Sequence, residues 1–138
     1  RWRRLRVYAD VQNPMPEQAA LAAFLKSRKL DRHVQKMRRL YAGRRLELLG
    51  ALEREFTGGW RAFGDASGMH IALAFPNRRF DAAFVTKSMR MGLGVATVDY
   101  HAIVKGLHTD KLLIGYGHLC PEEIRRGARL LRALFDAA

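Results

Sequence analysis

Apolar side chains recur at helical spacing over residues 31–56, and this is the clearest pattern in the chain. The stripe has steps of three, four or seven residues and consists of Val34, Met37, Tyr41, Leu48, Leu52 and Phe56. Such spacing places the side chains on one face of an α-helix, so a single long helix is predicted. Asp31 has the side chain of an N-cap, and Thr57-Gly58-Gly59 is expected to end the helix.

Three shorter segments also have helical patterns. An alanine-rich helix is predicted from Glu17, after a turn at residues 13–16 whose two prolines disfavour helix just before it. A second helix is predicted over Phe80–Met91. The last begins after Cys120, because Pro121 suits the first helical position and two glutamates follow it in the first turn.

Four short apolar segments have the length and flanking residues of strands: 60–63, 69–75, 95–98 and 111–117. The first two are separated by residues 64–68, which have the turn chemistry of a hairpin. Because the strands follow one another too closely for parallel crossovers, a mainly antiparallel sheet is predicted. With helices covering one face of this sheet, the chain is expected to be an α/β domain of the α+β-like kind.

Composition restricts the class of protein. The chain has 138 residues, of which 49% are hydrophobic, and this is enough for one domain with a real core. No apolar stretch reaches the roughly 20 residues that span a bilayer, and the basic first residues lack the apolar region of a secretory signal. A single cysteine, Cys120, excludes an internal disulfide. We therefore expect a cytoplasmic protein without membrane contact and, from the missing initiator methionine, a segment upstream.

The formal net charge of +12 is concentrated near the start of the long helix. Residues 28–45 contain eight lysines and arginines and one acid, Asp31. Such a cluster favours contact with polyanions. A solvated helix that faces a protein partner explains it equally well, because neither a recognition-helix motif nor an aromatic platform accompanies the cluster.

Neither a metal site nor a catalytic centre is predicted from spacing. The histidines occupy separate segments, and His70 is expected to be a half-buried structural residue because a zinc site needs three or four convergent ligands. Cys120 suits a weak N-cap better than a nucleophile, which would need a partner base. The lysines lack the apolar strand-and-loop setting that makes an imine-forming amine; they are Lys26, Lys29, Lys36, Lys87, Lys105 and Lys111.

Four motifs resemble one known family. Residues 33–45, HVQKMRRLYAGRR, closely resemble the His-x-x-x-Met-Arg-x-x-Tyr-x-x-Arg-Arg helix of MocR-type (GabR-like) bacterial transcription regulators of the GntR family. Residues 17–25 resemble the segment that enters that helix. Downstream, residues 68–71, GMHI, are similar to their Gly-Leu-His strand. Residues 112–117, LLIGYG, and 121–127 resemble their closing strand and helix.

The resemblance implies a multidomain parent protein. These regulators join a winged-helix DNA-binding domain to a module with the fold of a fold-type I aminotransferase. That module binds pyridoxal phosphate (PLP) as an imine on a lysine, senses an amine or amino-acid effector, and is generally homodimeric. Residues 1–30 would be a remnant of the large domain and linker, and residues 31–138 the small domain with its interdomain helix over 31–56. The DNA-binding domain and the PLP lysine would lie upstream, so that PLP is expected in the parent and not on this fragment.

The effector-binding residues are predicted at positions where this sequence departs from the family pattern. Leu113 stands where true aminotransferases have an arginine that binds the substrate carboxylate. Asp99, Tyr100 and His101 follow the strand at 95–98, where the family often has Pro-x-Ser-x-Tyr. An acidic and imidazole lining suits an amine or cationic effector better than a simple α-carboxylate. The alternative is that these three residues merely cap the strand.

The function expected from these features is effector sensing by the C-terminal portion of a PLP-dependent transcription regulator, without catalytic residues or activity of its own. One alternative is the small domain of a genuine aminotransferase. Another is a free-standing basic adaptor for nucleic acid or an acidic protein. Leu113 in place of the arginine and the Gly68-Met69-His70 signature favour the regulator.

Overall fold

The computed structural model describes residues 2–9, 14–64 and 68–137. The chain divides into two compact units, residues 1–39 and 40–138. Its elements are α1 (Trp2–Ala9), α2 (Met15–Lys26), α3 (Lys29–Glu55), β1 (Arg61–Phe63), β2 (His70–Ala74), α4 (Ala82–Arg90), β3 (Ala96–Thr97), α5 (Val98–His101), β4 (Lys111–Gly115) and α6 (Pro121–Asp136). In the described part of the chain, no helix has both the length and the apolar character needed to cross a membrane.

The first unit is helical and begins earlier than the sequence predicts. α1 had not been predicted at all. α2 starts at Met15 and not at Glu17, with Pro14 as its N-cap and Pro16 in its first turn. Proline is tolerated there because the first backbone N–H groups of a helix have no intrahelical acceptor. None of the side chains of α2 is buried within this chain.

The long helix is confirmed, with its start moved by two residues. α3 covers 27 residues and begins at Lys29, whereas Asp31 had been expected to cap it. Asp31 lies in the first turn instead, where its carboxylate pairs with Arg28 at 3.3 Å. Arg28 itself has a φ of 56°, so the left-handed residue that separates α2 from α3 is not a glycine.

The sheet of the second unit is antiparallel throughout, in the strand order β1-β2-β4-β3. This confirms the predicted fold class. β3 is shorter than predicted, because the segment 95–98 contains only two strand residues before the chain turns into α5. The predicted hairpin turn at residues 64–68 lies partly outside the described residues, but β1 and β2 do pair as a hairpin requires.

One face of the sheet carries the core. Alternation along the strands places Ile71 and Leu73 of β2 and Leu112 of β4 on this face, each at most 1% exposed. They pack in one cluster with Leu52 of α3 and Leu131 of α6. These two helices therefore cover the sheet on this side.

The opposite side of the sheet, called the open face below, is more accessible. One row of paired residues crosses it, one from each strand: Phe63, Ala72, Leu113 and Ala96. Phe63 is 47% exposed, while Ala72, Leu113 and Ala96 are half-buried. The open face is thus a shallow apolar surface whose central positions are small residues around one leucine.

Candidate functional site

Leu113 lies in the middle of the open face. Its neighbours across the two strand pairings are Ala72 on β2 and Ala96 on β3. Both are small, so the leucine side chain is half-buried and not enclosed. The position that the sequence resemblance equates with a carboxylate-binding arginine therefore faces away from the core, where a longer side chain has room to extend.

His70 shares the open face with Leu113. It pairs with Gly115 on β4, and a Cβ atom at Gly115 would come within 3.2 Å of the imidazole atoms Cδ2 and Nε2. The ring thus lies against the glycine backbone. The prediction that His70 is half-buried is wrong: the residue is exposed, because its ring lies on the accessible side of the sheet.

The candidates Asp99, Tyr100 and His101 all lie in α5, a single helical turn that follows β3. The turn forms because the side chain of Thr97 accepts a hydrogen bond from the backbone N–H of Tyr100 at 3.2 Å. Threonine is a favourable N-cap because its hydroxyl satisfies one of the unpaired amides at a helix start. α5 contacts both β3 and β4, so this turn adjoins the strand that carries Leu113.

The carboxylate of Asp99 organises the loop that follows α5. Its Oδ1 atom accepts hydrogen bonds from the backbone N–H groups of Gly106 at 2.7 Å and His108 at 3.2 Å. Lys105 closes the same loop, because its ammonium donates to the carbonyl oxygens of Asp99 at 3.0 Å and Tyr100 at 2.7 Å. These contacts support a structural role for Asp99, which is the alternative left open by the sequence.

A groove of about 600 Å³ runs between α4 and the segment formed by β3 and α5. Asp99, Tyr100 and Lys105 contribute to its lining, and His101 and Leu113 do not. His101 instead stacks edge-on against Tyr100, with 5.1 Å between the ring centroids. The structure therefore brings two of the four predicted residues into one groove, with the third adjacent.

Three segments singled out by their motifs meet at one corner of the second unit, which the sequence analysis had not identified as a site. Arg44 of α3 donates from Nη1 to the carbonyl oxygen of Gly117, which follows β4. Tyr116 donates from its hydroxyl to the carbonyl oxygen of Gly68 at 2.9 Å, and its own backbone N–H bonds to Met69. This corner joins α3, the start of β2 and the end of β4.

Gly117 and Met69 pack closely at the same corner. A Cβ atom at Gly117 would lie 2.9 Å from the Cβ of Met69, a distance that real Cβ atoms do not adopt. Tyr116 is 2% exposed, so its hydroxyl bond to Gly68 lies beneath the surface. Only glycine fits at position 117 without displacing Met69. Close packing therefore explains why a glycine occupies this position of the motif.

Binding of PLP as an imine would need a lysine with a suitable environment. Three of the six lysines lie in the second unit, and each has hydrogen-bonded partners: Lys87 binds the carbonyl oxygen of Ala137, Lys105 the carbonyls of α5, and Lys111 the carboxylate of Asp110. The hydrogen bonds of these three lysines are to groups of their own surroundings, and they mark none of the three as an imine-forming residue. The absence of the PLP lysine from this chain stays a prediction.

Metal-ligating side chains do not form a cluster in the described part of the chain. Within residues 2–9, 14–64 and 68–137, no three side chains of the metal-ligating types come together.

The hydrogen bond from Lys111 to Asp110, 2.8 Å long, holds the pKa of the Asp110 carboxyl below its ordinary value of 3.8. Asp110 ends the loop that leads into β4 and Lys111 is the first residue of that strand, and neither lines the groove described above.

Comparison with curated proteins finds bacterial regulators. The uncharacterized HTH-type transcriptional regulator YhdI of Bacillus subtilis is 31% identical over 83% of this chain and 24% of its own length. YcxD, another HTH-type regulator of that organism, is 30% identical over 88% of this chain and 28% of its own length. No protein-family model matches the chain.

Comparison with solved structures finds aminotransferases. LysN, the α-aminoadipate aminotransferase of Thermus thermophilus, superposes with a TM-score of 0.77 over 97% of this chain and 34% of its own, at 21% identity. The multiple substrate aminotransferase of Thermococcus profundus gives a TM-score of 0.73 over 83% of this chain and 28% of its own, at 19% identity. At these identities the likeness establishes the fold.

In both comparisons the chain covers only part of the proteins that it matches. The chain spans about a quarter of the length of the regulators that it matches. Its fold accounts for about a third or less of the aminotransferase chains. The regulator relatives and the aminotransferase fold confirm the resemblance first seen in the motifs: the chain matches an aminotransferase-like fragment of a MocR-type transcription regulator.

Proposed function

We propose that the chain is the effector-sensing portion of a PLP-dependent bacterial transcription regulator and has no catalytic activity of its own. The observation that supports this most is the agreement of two independent comparisons. The sequence relatives are HTH-type regulators, and the structural neighbours are aminotransferases. In this proposal residues 31–138 form the small domain, and residues 1–30 belong to the large domain and its linker.

The effector in this proposal lies near the junction of α5 with the open face, within reach of Asp99, Tyr100, His101 and Leu113. Leu113 offers an apolar contact and cannot bind a carboxylate. Asp99 supplies a hydrogen-bond acceptor, its second carboxylate oxygen Oδ2. The phenol of Tyr100 and the imidazole of His101 supply polar aromatic groups. The carboxylate of Asp99 suits an amine or a cationic effector, because opposite charges attract. The ring face of Tyr100 already faces a cation, the ammonium of Lys105, 5.9 Å from the ring centroid.

The remaining parts of the parent carry the other functions in this proposal. A winged-helix domain outside this chain binds DNA, the large domain binds PLP, and the parent acts as a homodimer in the cytoplasm. PLP supplies the imine chemistry through which an amine effector is detected. The contribution of the present residues would be to bind and orient the effector.

A genuine aminotransferase is the alternative that Leu113 disfavours. Transamination of amino acids needs a group that holds the substrate α-carboxylate, and a bidentate arginine is the usual one. The row across the open face has alanines on both sides of Leu113 and no guanidinium among its four members. The apolar row is consistent with a sensor that does not bind α-carboxylates at this position.

Absorbance spectroscopy with PLP tests the proposal. The 138-residue chain mixed with PLP should give no stable, stoichiometric imine band, whereas the longer regulator should give one that shifts with an amine effector. As a control, the chain should be compared with variants in which each of its six lysines is changed in turn to Arg: Lys26, Lys29, Lys36, Lys87, Lys105 and Lys111. A stoichiometric band from this chain that one of these changes removes would contradict the proposal, because it would put the PLP lysine here.

A further inference from the structure

The second unit contains a notch on the helix-covered side of the sheet. It lies between α3, α6 and the segment Gly92–Gly94 and extends to the end of β4. Its volume is about 380 Å³, within the range of small-molecule sites in proteins. Leu113 faces the other side of the sheet, so the notch is separate from the effector residues proposed above.

The walls of the notch are apolar. Leu93, Ile114, Leu119 and Leu130 line it and are half-buried, and the first three of them pack against the core cluster. Below them lie the fully buried Leu52 and Leu131. Apolar surface left in contact with water is unfavourable, and a molecule that covered these side chains would gain the free energy of removing it from water.

Gly127 keeps the notch open. It lies inside α6, where glycine weakens a helix relative to alanine. A Cβ atom there would meet only the Cδ1 atom of Leu93 at 3.7 Å, an ordinary contact, and Gly127 does not have a positive φ. Neither close packing nor backbone conformation therefore requires glycine at this position. Gly127 leaves the space between Leu93 and α6 unfilled.

Charged groups at the rim favour an anionic end on the ligand. Arg126 of α6 lines the notch and is exposed, and no ion pair involves it within the described ranges. Glu123 is also at the rim, but its Oε2 atom accepts the backbone N–H of Cys120 at 2.7 Å. That hydrogen bond lowers the pKa of Glu123 and holds its ionised carboxylate at the start of α6, whereas the guanidinium of Arg126 can meet a ligand.

We propose that the notch binds a small apolar molecule with one carboxylate group. Its apolar body covers Leu93, Ile114 and Leu119, and its carboxylate pairs with the guanidinium of Arg126. An aliphatic and an aromatic acid share this chemistry, and the dimensions of the notch accept either. This site goes beyond the effector function proposed above and does not depend on PLP.

NMR titration of the 138-residue chain tests this proposal. Decanoate below its micelle concentration and 3-phenylpropionate serve as the aliphatic and aromatic probes, and one or both should shift the amide signals of Leu93, Gly115 and Gly127 in a saturable manner. Gly127→Leu, which fills the notch and suits a helix, should weaken binding at least tenfold. Gly43→Leu is the matched control, because a Cβ at this helical glycine meets nothing within 4 Å.

The charge requirement has its own test. Arg126→Gln should weaken decanoate binding about tenfold and leave binding of the neutral decanol unchanged, as expected for loss of one charge-assisted contact. The proposal is overturned if neither acid shifts these signals, or if Gly127→Leu and Gly43→Leu bind alike. Equal loss of decanoate and decanol on Arg126→Gln would also overturn it, because that result would mean a change of fold or a purely apolar contact.

Discussion

The guanidinium of Arg44 donates a hydrogen bond to the carbonyl oxygen of Gly117, 73 residues further along the chain. This bond ties α3 to the turn between β4 and α6. A second link lies close by, since Glu47 of α3 accepts a hydrogen bond from Arg125 of α6 at 2.9 Å. The long helix is therefore held to the end of the sheet by polar contacts as well as by its buried leucines.

Removal of the Arg44 side chain is expected to destabilise the chain. Arg44→Ala should lower the free energy of unfolding by roughly 1.5–3 kcal/mol, because a part-buried hydrogen bond from a charged donor is lost and a carbonyl oxygen is left without it. Arg54→Ala is the control, since Arg54 is exposed and loss of its pair with Glu47 should cost less than about 1 kcal/mol. Urea unfolding measures both. If both variants lost the same free energy of unfolding, the hydrogen bond from Arg44 to Gly117 would contribute no more to stability than an exposed ion pair.

A methyl group at position 117 should also be costly. Gly117→Ala would force the Cβ of residue 117 against Met69, and such overpacking typically costs about 1–3 kcal/mol. Gly43→Ala makes the same chemical change in an open part of α3 and should raise stability by roughly 0.5–1 kcal/mol, because alanine is the better helix former. Thermal unfolding of the two variants should therefore shift in opposite directions. A stabilised Gly117→Ala variant would show that the corner is not closely packed.

The Asp110–Lys111 pair predicts a small dependence of stability on pH. The bond from Lys111 lowers the folded-state pKa of Asp110, so the pair stabilises the fold above the ordinary pKa of 3.8 and the effect is lost as pH falls through the folded-state value. Asp110→Asn should cost less than about 1 kcal/mol at neutral pH, since the carboxylate is partly exposed. The difference from the parent chain should vanish in acid. A difference that grows in acid would have the wrong sign for this pair.

Much of the architecture follows from local patterns. The second half of the predicted stripe, Leu48, Leu52 and Phe56, is buried, because a helix face and a sheet face that are both apolar cover each other in water. The first half is not buried: Val34 is exposed, and Met37 and Tyr41 are half-buried. Antiparallel pairing followed from the short connections between strands. Alternation in β2 correctly separated the buried Ile71 from His70 on the opposite side.

Contacts distant in sequence could not be predicted in the same way. The bonds of Arg44 and Tyr116 at the corner link residues 73 and 48 positions apart, and nothing in local spacing indicates them. α5 was missed because four residues are too few for a periodic pattern. Its signal was the N-capping Thr97, which in the sequence reads equally well as the end of a strand.

Leu113 is one of the four residues of the proposed effector site. Its side chain lies on the open face between Ala72 and Ala96, where an arginine could extend without meeting a large neighbour. Phe63 belongs to the same row, two strands away, so Phe63→Arg adds the same charge to the same face. The pair of substitutions separates a specific contact with the effector from a general change in surface charge.

The most direct test is therefore effector binding by the longer regulator with Leu113→Arg, measured through the spectral change of its PLP. A guanidinium that binds a carboxylate contributes roughly 1.5–3 kcal/mol, so affinity for effectors with an α-carboxylate should rise about tenfold to a hundredfold. Affinity for simple amines should not change, and Phe63→Arg should leave both affinities as they were. If Leu113→Arg folds, holds PLP and binds amino acids no better than the parent, then Leu113 does not lie at the effector site and the account is contradicted.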